Sequence, residues 1–457
     1  MGVAFPLITF PYASRILGPN GIGKVSFSQS IISYFVMLAM LGVSNYGIRE
    51  AGKVKNDKEK LSKFVSEVLT LNIVSSFISY ILLFCIILSV PFFSTYRGII
   101  LVCSISILFT TMGVDWLFYA IEELGAVALR TFIFQLASMV LLFILVRKPD
   151  DYIYYALIGV VSSVGSNFFA FFYSRKYIKY TFCRLKDVKK HLKPVFAFFL
   201  MSIASTINAS LDVSMIGFIV GDEQVGLYST AMKVVRIVIA VATSATVILP
   251  RLSYYHSLNQ AEEIKILTTK TLNLNIFFTL PAGIGLSIIA KPVITLISGD
   301  LYLNSVTILQ ILSPIILFIA FSNLLGSHLL MSVGKEKITF ITVSIGIACN
   351  CIINFFLIKR NGAAGAATAT LISEALVAVL QLLYARKYIL FKNFAIHFFQ
   401  CICGCIIMGC FVALVKNLRL PTVSTLLISI SGGAFLYTTV LILLRNDFSV
   451  RLLRRKK

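Results

Sequence analysis

The sequence predicts an all-α integral membrane protein with about 14 transmembrane helices. Of its 457 residues, 58% are hydrophobic and only 13% are charged, whereas soluble proteins are roughly 45–50% apolar and about 25% charged. Apolar runs of about 20 residues, the length that crosses a bilayer as a helix, follow one another with short polar breaks between them. The 41 Lys and Arg residues exceed the 19 Asp and Glu residues by 22 and concentrate in alternate breaks. A soluble globular protein is therefore excluded.

The polar breaks delimit fourteen apolar segments. The first half of the chain contains Met1–Ser14, Val25–Tyr46, Val65–Val90, Gly98–Ala120, Ala126–Val146 and Tyr152–Tyr173. The second half contains Pro194–Val220, Gly226–Pro250, Leu272–Ile297, Val306–Val333, Ile338–Ile358, Ala363–Ala385, Phe394–Val415 and Val423–Leu444. The first segment is short, about 14 residues where about 20 are needed, so either it is tilted and protected by its neighbours or the chain begins further upstream.

The basic residues predict which side of the membrane each break faces, because short cytoplasmic loops carry an excess of Lys and Arg. If both termini are cytoplasmic, the inside breaks and the C-terminal tail hold 29 basic residues and the outside breaks hold 10. The largest inside blocks are Arg49–Lys63, Arg175–Lys193 and the tail ending in Arg454–Lys457. They either set orientation and attract anionic lipid or bind a specific partner. Nucleic acid is not expected as a partner, because few polar faces present the charge.

An internal repeat divides the chain. Ile16–Gly23, followed by Ser26, resembles Ile219–Gly226, followed by Ser229, at a constant offset of 203 residues. Both lie in outside turns, where glycine at each end allows a positive φ and an abrupt helix start. Equal orientation of the two blocks predicts a parallel repeat of two six-helix lobes facing a central cavity.

The predicted domains follow from this repeat and from the basic blocks. They are an N-terminal six-helix lobe at residues 1–175, a basic cytoplasmic linker at 176–193, a second six-helix lobe at 194–385, and two appended helices with a basic tail at 386–457. Two lobes that rock about a shared cavity predict transport by alternating access.

Three charged residues are predicted to lie within the membrane near the second repeat turn. Asp212 and Lys233 lie roughly 10–12 Å below the same surface at ~1.5 Å of rise per residue, so they can meet across the hairpin. Arg236 follows Lys233 on the same helical face. Because ionisable groups at this depth cost at least about 2.5 kcal/mol, the residues either form a structural ion pair or leave a surplus cation for an anion-binding cavity.

Other charges lie close to the ends of predicted spans. Arg15 and Arg49 either extend to the membrane interface or face the cavity. Asp115 lies near the inner end of the fourth span, and Arg130 could neutralise Glu122 or Glu123 in the following turn. Glu374, in a helix of small residues, either binds a coupling ion or pairs with a neighbouring helix.

No cofactor or metal site is evident in the sequence. Cys401, Cys403 and Cys405 lack a suitably spaced His or carboxylate, so we expect them to pack rather than bind metal. The chain has no glycine-rich phosphate loop, so energy would come from a proton or sodium gradient or from the substrate's own gradient.

Four segments carry motifs that are specific in combination: Phe10–Pro19, Gly42–Glu50, Gly113–Phe118 and Asp212–Tyr228. Together they resemble bacterial O-antigen flippases, of the polysaccharide-transporter family in the multidrug/oligosaccharidyl-lipid/polysaccharide exporter superfamily. The resemblance implies transfer of an undecaprenyl-diphosphate-linked oligosaccharide from the cytoplasmic to the periplasmic face of the inner membrane. It also implies a polysaccharide polymerase and a chain-length regulator as partners.

On this reading, the substrate contacts are Arg15, Arg49, Lys233 and Arg236, and the ion-pair or coupling residues are Asp115, Asp212 and Glu374. A cationic, water-filled cavity would offset the cost of moving a diphosphate through hydrocarbon.

Other functions remain open. An organic-cation antiporter of the same superfamily would have a net acidic cavity, and a membrane polymerase or ligase would carry a long outside loop with reactive residues. A non-catalytic scaffold would not explain paired charges within the membrane.

Overall fold

A computed structural model of the protein describes residues 4–243, 248–418 and 420–446. Regular structure in these ranges is helical, without a strand, which confirms the predicted fold class. Met1 of the first predicted span and the basic tail at Arg454–Lys457 lie outside the described residues.

Eighteen α-helices follow one another in the described residues, numbered here in chain order. They are α1 (Ala4–Met40), α2 (Val43–Val54), α3 (Lys58–Ser89), α4 (Arg97–Met112), α5 (Asp115–Ala120), α6 (Leu124–Leu145), α7 (Tyr152–Val160), α8 (Ser166–Ser174), α9 (Leu185–Ile219), α10 (Asp222–Thr243), α11 (Leu249–Ser257), α12 (Ala261–Ile288), α13 (Ala290–Ser298), α14 (Ser305–Leu312), α15 (Ile315–Ser322), α16 (Glu336–Ala385), α17 (Phe391–Asn417) and α18 (Thr422–Leu443).

Short turns of other helix types connect several of these helices. The 3₁₀ turns are Pro91–Tyr96, Pro149–Asp151, Asp300–Tyr302 and Arg386–Tyr388, and the π-helical turns are Val161–Gly165 and Asn323–Leu330.

The described residues contain 11 helical stretches long and apolar enough to cross a membrane, or 12 when the pair 305–312 and 315–330, bent by 41°, counts as one. Two of these stretches, of 50 and 53 residues, are each long enough for two crossings. Counting each of them twice is compatible with the predicted 14 spans. The bend in the pair falls at Pro314, which lacks the amide needed to continue the helix.

The 53-residue stretch is a helical hairpin that turns at Gly362, whose φ of 56° and ψ of −136° break helix α16. Gln381 donates a 3.3 Å hydrogen bond to Thr342, and Asn350 donates one of 3.4 Å to Ser373. Both pairs are centred between residues 361 and 362, which is the pattern of two antiparallel helices. Gly365 permits the close turn, because a Cβ there would lie 2.1 Å from the Leu357 carbonyl oxygen.

Two glycine breaks also shape the first 50-residue stretch. Gly18 has φ 65° and ψ 178°, which separates α1 into two helices. Leu41 and Gly42 both have positive φ, and they separate α1 from α2. The basic block from Arg49 to Lys63 is mostly helical, because α2 and α3 leave only residues 55–57 between them; its cytoplasmic location stays a prediction. Asp57 caps the start of α3, because its side chain accepts hydrogen bonds from the backbone amides of Glu59 and Lys60.

The residue contacts divide the chain into two compact units, Met1–Gly226 and Leu227–Lys457. An apolar core in the first unit includes Val65, Trp116 and Phe118, and one in the second includes Leu272, Leu325 and Tyr437. Helix α9, which the sequence assigns to the second lobe, belongs to the first unit by its contacts. The functional lobes at 1–175 and 194–385 therefore stay a prediction.

Candidate functional site

Helix α9 packs antiparallel along the part of α1 that follows Gly18, and serine hydroxyls join the two helices. The hydroxyl oxygens of Ser33 and Ser210 are 2.8 Å apart, and those of Tyr34 and Ser214 are 3.1 Å apart. Ser214 also donates a 3.1 Å hydrogen bond to Ser30. Hydrogen bonds between neutral side chains in a membrane contribute only about 0.6 kcal/mol each, so this seam can form and separate at low cost.

A cavity of about 600 Å³ opens beside this seam within the first unit. It is lined by residues of α1, α2, α4, α7 and α9 and by the π-helical turn at 161–165. Such turns are frequent at functional sites because they displace side chains from the regular helical positions. At Gly159, a Cβ would lie 3.2 Å from the Gln29 amide nitrogen, so the glycine leaves room for this polar side chain.

Half of the cavity's lining residues carry neutral polar side chains. These are Gln29, Ser33, Ser44, Ser106, Thr110, Ser163, Ser202, Ser205, Thr206 and Ser210. None of the described lining residues is Lys, Arg, Asp or Glu. Apolar side chains such as Ile32 and Met37 cover the rest. Hydroxyl and amide groups interleaved with apolar patches match a sugar ring, which presents hydroxyl edges and C–H faces.

The predicted site residues do not mark this cavity, because all of them are charged and its described lining residues are neutral. A signal was present in α9, where Ser202, Thr206, Ser210 and Ser214 recur every four residues and Ser205 follows Ser202 by three. That period places them along one side of a helix. A polar stripe in a membrane span indicates either helix packing or a water-filled cavity. Here, members of the stripe contact α1 and members of it line the cavity.

The two repeated glycine turns meet at the outer end of this seam, the end that the basic residues predict to be non-cytoplasmic. A Cβ on Gly23 would lie 1.8 Å from the Asp222 carbonyl oxygen, and a Cβ on Gly226 would lie 1.9 Å from that of Pro19. The offset of 203 maps one contact onto the other, which supports the internal repeat.

The first and second glycines of each turn have different roles. Gly18 and Gly221 have positive φ, as predicted, with values of 65° and 98°. The expectation of positive φ at the second glycine is wrong: Gly23 and Gly226 lie inside helices. They are glycines because another backbone approaches closely there.

An aromatic cluster separates the cavity from the glycine turns. The ring centre of Phe27 lies 5.1 Å from those of both Tyr96 and Phe218. The ring centres of Phe92 and Phe218 are 5.2 Å apart. The Tyr96 hydroxyl donates a 2.8 Å hydrogen bond to the Asp222 carboxylate. Large side chains are therefore packed along the unit between the glycine turns and the helical segments that line the cavity.

The predicted cations of the first unit lie at its two ends. Arg15 is exposed beside the outer turn. Arg49 lies in α2 with a half-exposed side chain, 2.9 Å from Glu50 and 4.9 Å from the Phe198 ring centre. Because Ser44 precedes Arg49 in the same helix and lines the cavity, Arg49 lies toward its inner end.

Arg130 has a different partner from the one that the sequence predicts. Arg130 pairs with Asp115 and lies 5.1 Å from the Phe118 ring centre. Glu122 pairs instead with Lys55 at 2.7 Å. The expectation that Arg130 neutralises Glu122 or Glu123 is therefore not met. Helix α4 ends at Met112, and α5 begins at Asp115, which places this carboxylate within reach of α6.

The remaining predicted residues lie on different units. Asp212 is buried in α9 of the first unit, while Lys233 and Arg236 lie in α10 and Glu374 in α16 of the second. Tyr228 and Thr370 are 3.2 Å apart and set the register between α10 and α16. Lys233 and Glu374 follow this pair by five and four residues. The pairing of Asp212 with Lys233 stays a prediction. The described residues contain no group of three His, Cys, Asp or Glu that could hold a metal ion.

The family model described as "Polysaccharide biosynthesis protein" matches residues 2–256, more than half of the chain. The chain belongs to this family. A relative in Escherichia coli (strain K12), described as an O-antigen transporter, is 27% identical over 392 residues, which cover 84% of this chain and 92% of that protein. A relative in Haloferax volcanii, described as a low-salt glycan biosynthesis flippase, is 24% identical over 260 residues, which cover 56% and 55% of the two chains.

Among solved structures, the lipid II flippase MurJ in an inward closed conformation shares the fold of this family member, with a TM-score of 0.78. Identity is 19%, and the match covers 99% of this chain and 97% of that one. Transporters and flippases, rather than enzymes, thus form the protein's sequence and structural neighbours. The protein is a multi-pass membrane transporter of polysaccharide biosynthesis, and the resemblance inferred from its motifs is confirmed.

Proposed function

We propose that the protein moves an undecaprenyl-diphosphate-linked oligosaccharide repeat unit from the cytoplasmic to the periplasmic leaflet of the inner membrane. Both termini would be cytoplasmic, and transport would proceed by alternating access. The observation that carries the proposal is the neutral, hydroxyl-lined cavity of about 600 Å³ in the first unit. A cavity of this size and lining suits part of a glycan, while the polyprenyl chain remains in lipid.

The diphosphate requires a separate site. It carries about two negative charges, which an uncharged cavity cannot neutralise. Arg15 and Arg49 at the ends of the first unit, with Lys233 and Arg236 in α10, are the proposed cationic contacts. Asp212 and Glu374 would balance these charges or bind a coupling ion, whereas Asp115 already has Arg130 as its partner.

The polar lining also favours a glycan over an organic cation. A cation would be stabilised by carboxylates or by a cage of aromatic rings, and neither lines this cavity among the described residues. Serine and glutamine side chains instead offer both donors and acceptors, which sugar hydroxyls need.

Two sets of variants test the proposal, one that fills the cavity and one that removes the cations. Each variant is expressed in the parent organism after the gene for this protein has been deleted. Replacing Ser106 and Ser205 with Leu should reduce surface polysaccharide at least tenfold and accumulate lipid-linked repeat units. Replacing Lys233 and Arg236 with Ala should have the same effect. Ser431→Leu, at an exposed position of α18, is the control that adds an equally large side chain outside the cavity.

Protein amount in the membrane is measured for every variant. Normal polysaccharide output from a well-inserted cavity variant would overturn the proposed role of the cavity. Unchanged polysaccharide together with lost resistance to organic cations would instead assign the rival antiporter function.

A further inference from the structure

A buried ionic network joins α2, α3 and α9 at the inner end of the first unit. Glu67 in α3 has a side chain only 2% exposed, and one of its carboxylate oxygens lies 2.8 Å from His191 Nε2 in α9. Lys190 Nζ also lies 2.8 Å from this carboxylate. The other ring nitrogen of His191, Nδ1, is 2.7 Å from the hydroxyl of Tyr46 in α2.

This network can accept one proton without losing a hydrogen bond. With a neutral imidazole, Nε2–H donates a hydrogen bond to Glu67, and Nδ1 accepts a hydrogen bond from the Tyr46 hydroxyl. When Nδ1 takes up a proton, it becomes a donor to the Tyr46 oxygen, and the hydroxyl rotates away. Histidine is the side chain whose charge most readily changes between about pH 5 and pH 8. The network is therefore chemically suited to bind and release a proton.

A second pocket, of about 690 Å³, borders the residue that carries the buried carboxylate. It is lined by Glu67 together with Lys58, Ser62, Lys63 and Lys179. Its wall is held in place because the backbone amides of Lys179 and Thr181 donate 3.0 Å hydrogen bonds to Ser62 and Ser66 of α3.

The surrounding charges are mixed in sign. Groups that line the pocket or flank the network, from each element packed there, are Arg49 and Glu50 of α2, Lys58, Glu59 and Lys63 of α3, Lys179 of the linker, and Asp187 of α9. Most of them lie at the surface, where water screens them. Glu67 is the buried carboxylate among them, so its contact with His191 is the interaction that protonation changes most.

We propose that Glu67, His191 and Tyr46 form a proton-binding site that makes transport by this protein proton-coupled. Protonated His191 attracts the Glu67 carboxylate more strongly than neutral imidazole does, so a bound proton holds the inner end of α9 against α3. Loss of the proton weakens this contact. Tyr46 and Ser44 of the cavity lining lie in the same helix, α2, so a shift of this helix would move both the proton site and the cavity wall.

The coupling to transport rests on the proposed function, but the proton site does not. Its test is hydrogen–deuterium exchange of the full-length protein in lipid nanodiscs at about pH 5.5 and about pH 8, corrected for the intrinsic exchange rate. Peptides covering residues 188–200 should be protected about fivefold more at the lower pH. His191→Gln and Glu67→Gln should abolish this difference.

His397→Gln is the matched control. His397 is also 5% exposed, and it lies in the second unit with hydrogen bonds to the Asn273 carbonyl and to Asn446. This variant should keep the pH-dependent protection of α9. Tyr46→Phe should keep part of it, because the contact between His191 and Glu67 remains.

Two outcomes would overturn the proton site. One is an unchanged pH dependence in His191→Gln. The other is an equal loss of protection at both pH values, which would assign the network a purely structural role. Polysaccharide output is the separate readout of coupling: it should fall in His191→Gln but not in His397→Gln. If output does not depend on the protein at all, the proposed function fails while the exchange result still decides the proton site.

Discussion

The contact between the two glycine turns makes the sharpest prediction, and it concerns Gly226→Ala. An alanine Cβ at this position would lie 1.9 Å from the Pro19 carbonyl oxygen, whereas ordinary contacts begin at 3.4 Å. The two backbones must therefore move apart by about 1.5 Å, a displacement as large as the rise per residue of an α-helix. Overpacking of this kind costs about 1–3 kcal/mol. We expect the contact to open about 5- to 150-fold more often.

The assay is hydrogen–deuterium exchange of peptides covering residues 16–30 and 217–226, with thermal unfolding measured in parallel. Gly226→Ala and Gly23→Ala should both increase exchange at these turns, since the two contacts are reciprocal. The matched controls are Gly52→Ala and Gly125→Ala, which also lie in helices but have no atom within 4 Å of the added Cβ. Alanine there should be neutral or stabilising by up to about 1 kcal/mol. Equal exchange in Gly226→Ala and Gly52→Ala would refute the reasoning.

Three further tests address other parts of the fold. Arg130→Met should destabilise the protein by about 1 kcal/mol, because the Asp115 carboxylate loses its partner but, at 38% exposed, is still solvated; thermal unfolding should show partial recovery when Asp115→Asn is added. A double-mutant cycle of Gln381→Leu and Thr342→Val should give a coupling energy of about 0.6 kcal/mol, and zero coupling would contradict the hairpin hydrogen bond. Gly362→Ala should cost about 1–3 kcal/mol in thermal unfolding, because its φ and ψ suit only glycine; an unchanged midpoint would show that the turn tolerates a side chain.

Hydrophobicity and charge in the sequence determined the membrane class and the helical architecture. Each span must satisfy its own backbone hydrogen bonds in lipid, so runs of apolar residues leave little choice but helix. The repeat at an offset of 203 residues likewise located the two turns that meet in the structure. The motifs were sufficient to place the chain in its family, because they combine glycines required by backbone geometry with particular polar residues.

Only the tertiary structure decided which side chains meet. The pairing of Asp115 with Arg130 depends on the break at Gly113, which redirects the chain toward α6, and no local pattern encodes that direction. Glu67 and His191 are 124 residues apart. In the sequence, nothing distinguishes either of them from the other ionisable residues near the ends of predicted spans. The cavity needs five helices to converge before scattered serines become one polar surface. Local composition fixes what each segment can do, whereas contacts between distant segments determine what they do together.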